Sequence, residues 1–354
     1  MKLLGFITLA LIVTASAFGI RYLRPLLRLP KPVGVFSVGT GLEEIAGLRV
    51  QVWYPIDKDS GGVRAPYYLE RARPWQRRFL GMLLSTNSCV QCPLASGRHP
   101  LVIVLPGWGG KHEDNTALSE NLASLGYVVT SLDDTNEPSR RADFSTDLTT
   151  RETVSWAQVK LRLASLQVRS LITALERENE RSDSPLFASL DTRGIGLIGF
   201  SFGGAVAAQT ALEDPRVLAA VNMDGSMFGP VLEAGLEKPF LFMKSGSIDV
   251  QTLEPRASAE DRFDQENERK IRAGLEKNHG YLLAISGTGH YNFVDAALQP
   301  SIRHTAVGPA DPRSVFSVLV TTVAYFFDVH LLHASDNPPK LPDYAVLRHF
   351  ACKR

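Results

Sequence analysis

Cysteine is scarce in this sequence, with 3 residues among 354. Two of them form an isolated Cys89-Val-Gln-Cys92 pattern, and without a second such pair it does not predict a zinc site. No strand–helix–strand pattern surrounds it, which argues against thioredoxin-like redox chemistry. If the chain is exported, a local disulfide that ties a surface loop is the simplest interpretation. Cys352 lies in a polar stretch and predicts no function.

An excess of charge of either sign is also lacking. Lys and Arg number 38 and Asp and Glu 37, which leaves a net charge of +1. No basic run interleaved with aromatic residues occurs and no internal repeat is seen, so the sequence predicts no nucleic-acid partner. It carries no signal for oligomeric state. Apolar residues make up 44% and charged residues 21%, as in a globular protein with a full core.

The first 20 residues have the layout of a secretory signal. Lys2 precedes an apolar run at 3–13, and Ala15-Ser16-Ala17 offers a small-x-small cleavage site. The alternative is an uncleaved membrane anchor, because apolar residues resume at Phe18. The chain is therefore expected to be exported, to the periplasm or outside the cell, or to be membrane-anchored.

Two basic segments could contact an anionic membrane surface. Residues 21–32 form a basic linker in which arginine, lysine and leucine alternate. Residues 67–84 read as a basic amphipathic helix, which is either a lid or membrane-docking face or, as is more common, a helix packed on the main domain.

Strand-like and helix-like segments alternate from about residue 100 to residue 332. The strands are expected at 101–105, 127–132, 195–198, 217–223, 239–243 and 281–285, and the final helix at 312–332 is apolar nearly all round. This alternation predicts an α/β fold with a mostly parallel sheet, helices on both faces, and reacting groups at the carboxyl ends of the strands. One domain is expected at 33–333, with a polar tail at 334–354.

The segment Gly199-Phe200-Ser201-Phe202-Gly203 follows an apolar strand and precedes a helix rich in small residues. A serine on such a tight turn has a strained backbone, so its neighbours two residues away must be nearly free of side chain. The pattern in this context predicts a nucleophilic Ser201 in an α/β-hydrolase fold.

The base should follow the acid in the chain order serine, acid, histidine. Among eight histidines, His290 follows the last predicted strand, at the same sheet edge as Ser201. His279 precedes that strand and lies at the wrong end. A solvent or packing role is expected for the histidines of the C-terminal segments, His304, His330, His333 and His349.

Two carboxylates are candidates for the acid that orients the histidine. Asp224 ends the strand after the serine unit, and Asp249 ends the next one. Either could orient the imidazole, so the alternative stays open at this point. Asp224 is followed by Met227 and Phe228, which could line an acyl pocket.

The oxyanion hole should take one N–H group from Phe202, the residue after the nucleophile. The other should come from the loop Pro106–Gly110, with Trp108 as the donor and its indole as a pocket wall. No metal and no organic cofactor is required for this chemistry.

At these residues the chain resembles the platelet-activating factor acetylhydrolase family, the calcium-independent phospholipases A2. That family carries Gly-His-Ser-Phe-Gly-Gly, a Leu-Asp-x-x-Met-Phe element, a base followed by a polar residue, Asn and Phe, and His-Gly-Leu-Gly at the oxyanion loop. This sequence has Gly199–Gly204, Met223–Phe228, His290–Phe293 and Pro106–Gly109 in their places. Phe200 and Trp108 depart from the family pattern.

The resemblance favours Asp224 over Asp249 as the acid. It implies hydrolysis of short or oxidised acyl groups from phospholipid esters, through an acyl-enzyme on Ser201. General short-chain esterases and cutinase-like polyesterases share much of this pattern, and a peptidase or thioesterase would use the same chemistry. A catalytically silent fold that binds lipid or protein is the alternative from another class. Dienelactone hydrolase or dehalogenase activity would require Cys or Asp at position 201.

Overall fold

A computed structural model of the chain describes residues 28–58, 61–69, 84–134, 150–181, 186–248, 258–299 and 307–351. The predicted signal or anchor at 1–20 and most of the basic linker at 21–32 lie outside these ranges. So do most of the predicted amphipathic helix at 67–84, the alternative acid Asp249, and His304.

A sheet of 11 strands forms the centre of the described part. Its strands are β1 Ser37–Ile45, β2 Leu48–Ile56, β3 Val63–Pro66, β4 Ser85–Val90, β5 His99–Leu105, β6 Val128–Leu132, β7 Leu190–Phe200, β8 Val217–Met223, β9 Phe240–Ser245, β10 Tyr281–Ile285 and β11 Ala345–His349. Their spatial order is β11-β10-β9-β8-β7-β5-β6-β2-β1-β4-β3. The strands from β6 through β5, β7, β8 and β9 to β10 are parallel, which confirms the predicted mostly parallel sheet.

Helices cover both faces of this sheet. They are α1 Thr116–Ser124, α2 Arg151–Asn179, α3 Phe202–Glu213, α4 Pro230–Ala234, α5 Ala259–Lys277 and α6 Pro312–Leu331. The central strands are apolar throughout because successive side chains enter opposite cores. Leu101 and Ile103 pack with α2 and α3 on one face, whereas Val102 and Val104 pack with α1 and α6 on the other. The arrangement is the predicted α/β-hydrolase fold.

Among the residues that the structure describes, one helix is long and apolar enough to cross a bilayer, and it is α6. Half of that stretch is buried, and Val315, Leu319 and Phe327 belong to the core beneath the sheet. The helix therefore covers the sheet, as its all-round apolar pattern predicts.

The two ends of the predicted domain differ from the sequence-based boundaries. Leu29, in the predicted basic linker, is buried and donates its N–H to the carbonyl oxygen of Ser85 at 3.1 Å. The predicted polar tail contains β11, which pairs antiparallel with β10 from Ala345 to His349. Only Ala345 of this strand is buried, so its sequence lacks the apolar alternation that would have predicted it. Cys89 and Cys92, at the end of β4, are joined in a disulfide, in agreement with the local-bridge interpretation.

Candidate active site

Ser201 occupies the turn between β7 and α3, with φ 54° and ψ −124°. A positive φ is rare for a residue with a side chain and costs free energy, so surrounding contacts must hold it. The N–H of Ser201 donates to the carbonyl oxygen of Met223 at 2.9 Å, and the N–H of Gly204 donates to that of Ser201 at 2.9 Å. A Cβ on Gly203 would lie 2.4 Å from the carbonyl oxygens of Leu105 and Pro106. The absence of a side chain there lets α3 begin directly against the end of β5.

Asp224 and His290 are joined by a hydrogen bond of 2.8 Å between Oδ2 and Nδ1. Asp224 follows β8 directly, also at positive φ, 57°. Its Oδ1 accepts the N–H of Ser245 at 2.6 Å and its Oδ2 accepts the Ser245 hydroxyl at 3.1 Å. The carboxylate is thus fixed from β9 on one side and faces the imidazole on the other. Asp224 is mostly buried, whereas the His290 side chain is 37% exposed.

The loop that carries His290 is held in place by hydrogen bonds to Asn292. The amide oxygen of this buried residue accepts the N–H groups of Gly289 and Gly308, each at 2.8 Å. The His290 ring packs on Phe200, the residue before Ser201, with ring centroids 4.6 Å apart. The chain thereby brings the imidazole to the sheet edge where Ser201 lies.

The predicted oxyanion loop follows β5 and contains a four-residue turn. The N–H of Gly110 donates to the carbonyl oxygen of Gly107 at 2.9 Å, and Gly109 has φ +66°, as the third position of a type II turn requires. A Cβ on Gly107 would lie 3.3 Å from Cβ of Ser201. The segments of Trp108 and Phe202 are therefore neighbours of the serine, and their rings are in contact at 5.0 Å.

Aromatic side chains extend from Trp108 and Phe202. Trp156 of α2 lies 4.4 Å from Trp108, and Phe228 lies 6.4 Å from Phe202, measured between ring centroids. Met227 is buried, and its N–H donates to the side chain of Asn267 at 2.9 Å. The predicted pocket residues Trp108 and Phe228 thus belong to one aromatic cluster. Trp156 belongs to it as well, although the sequence analysis did not predict it as a pocket residue.

A charged network lies behind the oxyanion loop. Asp133, after β6, accepts the N–H of His112 at 2.9 Å and faces its Nδ1 at 2.6 Å. The other ring nitrogen of His112 lies 3.2 Å from Glu113. Burial raises the pKa of Asp133, but hydrogen bonds from His112 and Lys111 outweigh it and hold the pKa well below its usual range.

His112, Glu113 and Asp133 present ligand atoms within 4.8 Å of one another, a spacing that could hold a metal ion. The ammonium of Lys111 lies 3.0 Å from Asp133, however, and both imidazole nitrogens already face carboxylates. The candidate ligand atoms are thus already engaged with one another and with Lys111.

Three of the other histidines, His279, His330 and His349, make contacts away from this edge. His279 contacts the carbonyl oxygen of Phe350 at 3.0 Å. His330 and His349 pack against the ring of Tyr281, with centroids 5.4 and 4.0 Å away. The ring contacts of His330 and His349 are packing roles of the kind expected from the sequence.

Comparison with known protein families identifies the family of this chain. The model of the dienelactone hydrolase family matches residues 87–278, more than half of the chain. The chain belongs to the dienelactone hydrolase family. That dienelactone hydrolase activity itself would require a residue other than serine at position 201 stays a prediction.

The resemblance to platelet-activating factor acetylhydrolases is confirmed among curated proteins. The chain is 24% identical to that enzyme of Cavia porcellus over 57% of this chain and 50% of the relative. It is 24% identical to the enzyme of Canis lupus familiaris over 76% and 68%. A further relative, from Arthroderma benhamiae, is described as a probable 1-alkyl-2-acetylglycerophosphocholine esterase, with 23% identity over 42% and 38%. The chain thus spans about half the length of the first relative.

A solved structure shows the same fold. The ferulic acid esterase from Streptomyces cinnamoneus superimposes with a TM-score of 0.68, at 24% identity, over 90% of this chain and 98% of that one. At that identity the similarity concerns the fold. Family and fold agree: the chain is a member of the dienelactone hydrolase family with an α/β-hydrolase fold.

Proposed function

We propose that the chain is a serine carboxylic ester hydrolase in which Ser201 is the nucleophile, His290 the base and Asp224 the acid. The observation that carries this proposal is the Asp224–His290 hydrogen bond of 2.8 Å at the sheet edge where Ser201 sits on a strained turn. An orienting acid, a base and a serine nucleophile are the parts that acyl transfer needs.

The tautomer of His290 follows from its contacts. Because Nδ1 faces Asp224, that nitrogen carries the proton it donates, and Nε2 is left to accept the Ser201 proton. Attack of Oγ on the acyl carbon then forms a tetrahedral intermediate. His290 returns the proton to the leaving alcohol, and later activates the water that hydrolyses the acyl-enzyme. Asp224 stabilises the imidazolium in both steps.

The negative oxygen of the tetrahedral intermediate would be held by the N–H groups of Phe202 and Trp108. Phe202 is the first residue of α3, so its N–H belongs to the helix terminus that carries partial positive charge. Trp108 is the second residue of the turn closed by Gly107 and Gly110, and that closing bond leaves its N–H unused.

The substrate class that we propose is an ester of a short or oxidised acyl chain, in the manner of the platelet-activating factor acetylhydrolases. The relatives named above support a phospholipid ester, and the cluster of Trp108, Trp156 and Phe228 supports an apolar acyl group of limited length. A general short-chain esterase or cutinase-like polyesterase is the second candidate. Export or membrane anchoring, and contact with a membrane surface, belong to the same proposal.

The decisive experiment replaces Ser201 by alanine. Ser201→Ala should lower p-nitrophenyl acetate hydrolysis to the uncatalysed level and prevent labelling by a fluorophosphonate probe, with the circular dichroism spectrum unchanged. Ser170→Ala, on the exposed face of α2, is the matched control and should retain both. Turnover retained in Ser201→Ala would refute the assignment.

The substrate class needs a separate assay. Rates are compared for phospholipids with an acetyl or a long acyl chain at sn-2, for p-nitrophenyl esters of increasing length, and for an insoluble polyester. Preference for the sn-2 acetyl lipid supports the acetylhydrolase type, whereas preference for the polyester would favour the second candidate.

A further inference from the structure

Asp134 binds the backbone of the oxyanion loop at two points. Its Oδ2 accepts the N–H of Gly109 at 2.7 Å, and its own N–H donates to the carbonyl oxygen of Gly110 at 3.1 Å. Gly109 directly follows Trp108, the proposed oxyanion donor. These contacts fix the two residues that follow Trp108, and the bond from the Gly110 N–H to the Gly107 carbonyl oxygen ties them to the peptide plane that carries the Trp108 N–H.

Lys160 of α2 neutralises Asp134 inside the protein. Its ammonium lies 2.6 Å from Oδ2 of Asp134, and the side chains are only 3% and 7% exposed. A carboxylate this buried needs a paired charge, because removing one partner leaves an uncompensated ion.

The same ammonium lies against the side chains of both proposed oxyanion donors. It is 4.8 Å from the ring of Trp108 and 5.6 Å from that of Phe202, within the range of cation–π attraction. Trp156 is also in range, at 5.9 Å. One buried charge thus touches the loop after β5 and the first turn of α3, the two segments whose separation sets the width of an oxyanion hole.

We propose that Lys160 and Asp134 are positioning residues that fix the Trp108 and Phe202 N–H groups at the spacing needed to hold an oxyanion. This inference rests on the proposed serine mechanism. The pair touches no reacting atom. It acts by holding donors that a tetrahedral intermediate uses more strongly than the substrate carbonyl does.

The test compares Lys160→Met, Asp134→Ala and Asp134→Asn. Loss of an oxyanion donor typically lowers kcat about 10²–10³-fold, so loosening the donors should lower it by about 10–100-fold while KM changes little. Asp134→Asn should lose less than Asp134→Ala, because the amide oxygen can still accept the Gly109 N–H. The double variant Lys160→Met/Asp134→Asn should lose no more than the worse single variant, since both changes act on one pair.

A tetrahedral probe separates positioning from general instability. The affinity of an alkyl boronic acid, which forms a tetrahedral adduct on a serine nucleophile, should fall by the same factor as kcat/KM. Asp214→Asn is the matched control. Asp214 is equally buried and paired with Arg216 at 2.6 Å, before β8 at the opposite end of the sheet. It should lower the unfolding midpoint without lowering kcat or boronate affinity.

Two results would overturn the inference in distinguishable ways. If the wild-type protein takes fluorophosphonate label at Ser201 and the Lys160 and Asp134 variants match Asp214→Asn in kcat and boronate affinity, the pair is merely structural. If the wild-type protein takes no label at all, the serine mechanism fails, and the inference fails with it.

Discussion

The two sides of the Ser201 turn are held by different kinds of contact. On the side of the acid and the base, hydrogen bonds with neutral groups hold the residues in place: Ser245 donates to Asp224, and Asn292 accepts from the His290 loop. On the oxyanion side, charged groups hold the loop: Asp134 forms a buried ion pair with Lys160, and Asp133 contacts the more exposed Lys111.

The difference follows from what each side must do. The imidazole must change its protonation state during the proposed reaction, so fixed cations packed beside it would oppose that change. The oxyanion donors are backbone groups that only need to stay in place, and a compensated charge pair can hold them without taking part. Changes on the first side should therefore affect proton transfer, and changes on the second the stabilisation of the intermediate.

The largest expected effect on the acid–base side comes from Asp224→Asn. An asparagine can donate to His290 and favour the wrong tautomer, so kcat should fall by about 10³–10⁴-fold, as for the acid of a serine protease triad. Asp249→Asn is the control and should change kcat only slightly. Steady-state kinetics with p-nitrophenyl acetate make the comparison, and the reverse ranking would reassign the acid to Asp249.

Asn292→Ala should have an intermediate effect. It leaves the N–H groups of Gly289 and Gly308 without their acceptor, and an unsatisfied buried donor costs about 1–3 kcal/mol each. The His290 loop should loosen, with a fall in kcat and in the free energy of unfolding measured by urea. Asn292→Asp keeps an acceptor oxygen and should recover much of the stability. If Asn292→Ala left kcat unchanged, the loop would not depend on this clamp.

The smallest effect is expected at Asp295, which joins the two sides. Its carboxyl group accepts the N–H of Ala117 in α1, at 3.2 and 3.1 Å to its two oxygens, and lies 3.0 Å from the Tyr67 hydroxyl. Burial raises the pKa of Asp295 well above its usual range, and the nearby charges of Glu120 and Asp114 add to this. The folded protein therefore keeps a proton that the unfolded chain releases at a pH of about 4.

Stability contributed by that proton is present at low pH and is lost as the pH rises through the raised pKa of Asp295. Asp295→Asn cannot titrate, so its free energy of unfolding should fall less steeply with rising pH than that of the wild-type protein. Urea unfolding at a series of pH values above 4 measures both slopes. Equal slopes would show that Asp295 is ionised in the folded protein.

The sequence predicted those parts of the site that are tied to strand ends. Ser201, Asp224 and His290 each follow an apolar run, so their sheet edge could be inferred from the run alone. The same reasoning could not choose between Asp224 and Asp249, because both end strands. The family resemblance favoured Asp224, and the structure shows that Asp224 binds His290.

The supporting residues could not be predicted in this way. Lys160 lies on a long helix with many charged residues, and nothing in its neighbourhood indicates that it is buried against Asp134. Asp133 and Asp134 begin a polar segment that reads as a loop. Their partners are close in space but distant in sequence, and a single sequence carries no signal for such pairs. The short strands β3 and β11 were missed because they lie at the edges of the sheet and bury few apolar side chains. Strand β4 was missed because the side chains that it buries, Thr86 and Ser88, are polar.

Strand β11 also has a practical consequence for handling this protein. It occupies the outer side of β10 along Tyr281–Ile285, and the chain just after it is attached to Gly280 through the N–H of Phe350. A version shortened before Ala345 would leave the outer backbone N–H and C=O groups of β10 without hydrogen-bond partners. Such an exposed sheet edge can pair with strands of other molecules. Truncations and affinity tags are best designed so that residues 345–350 stay in place, because aggregation of the shortened protein could be mistaken for natural oligomerisation.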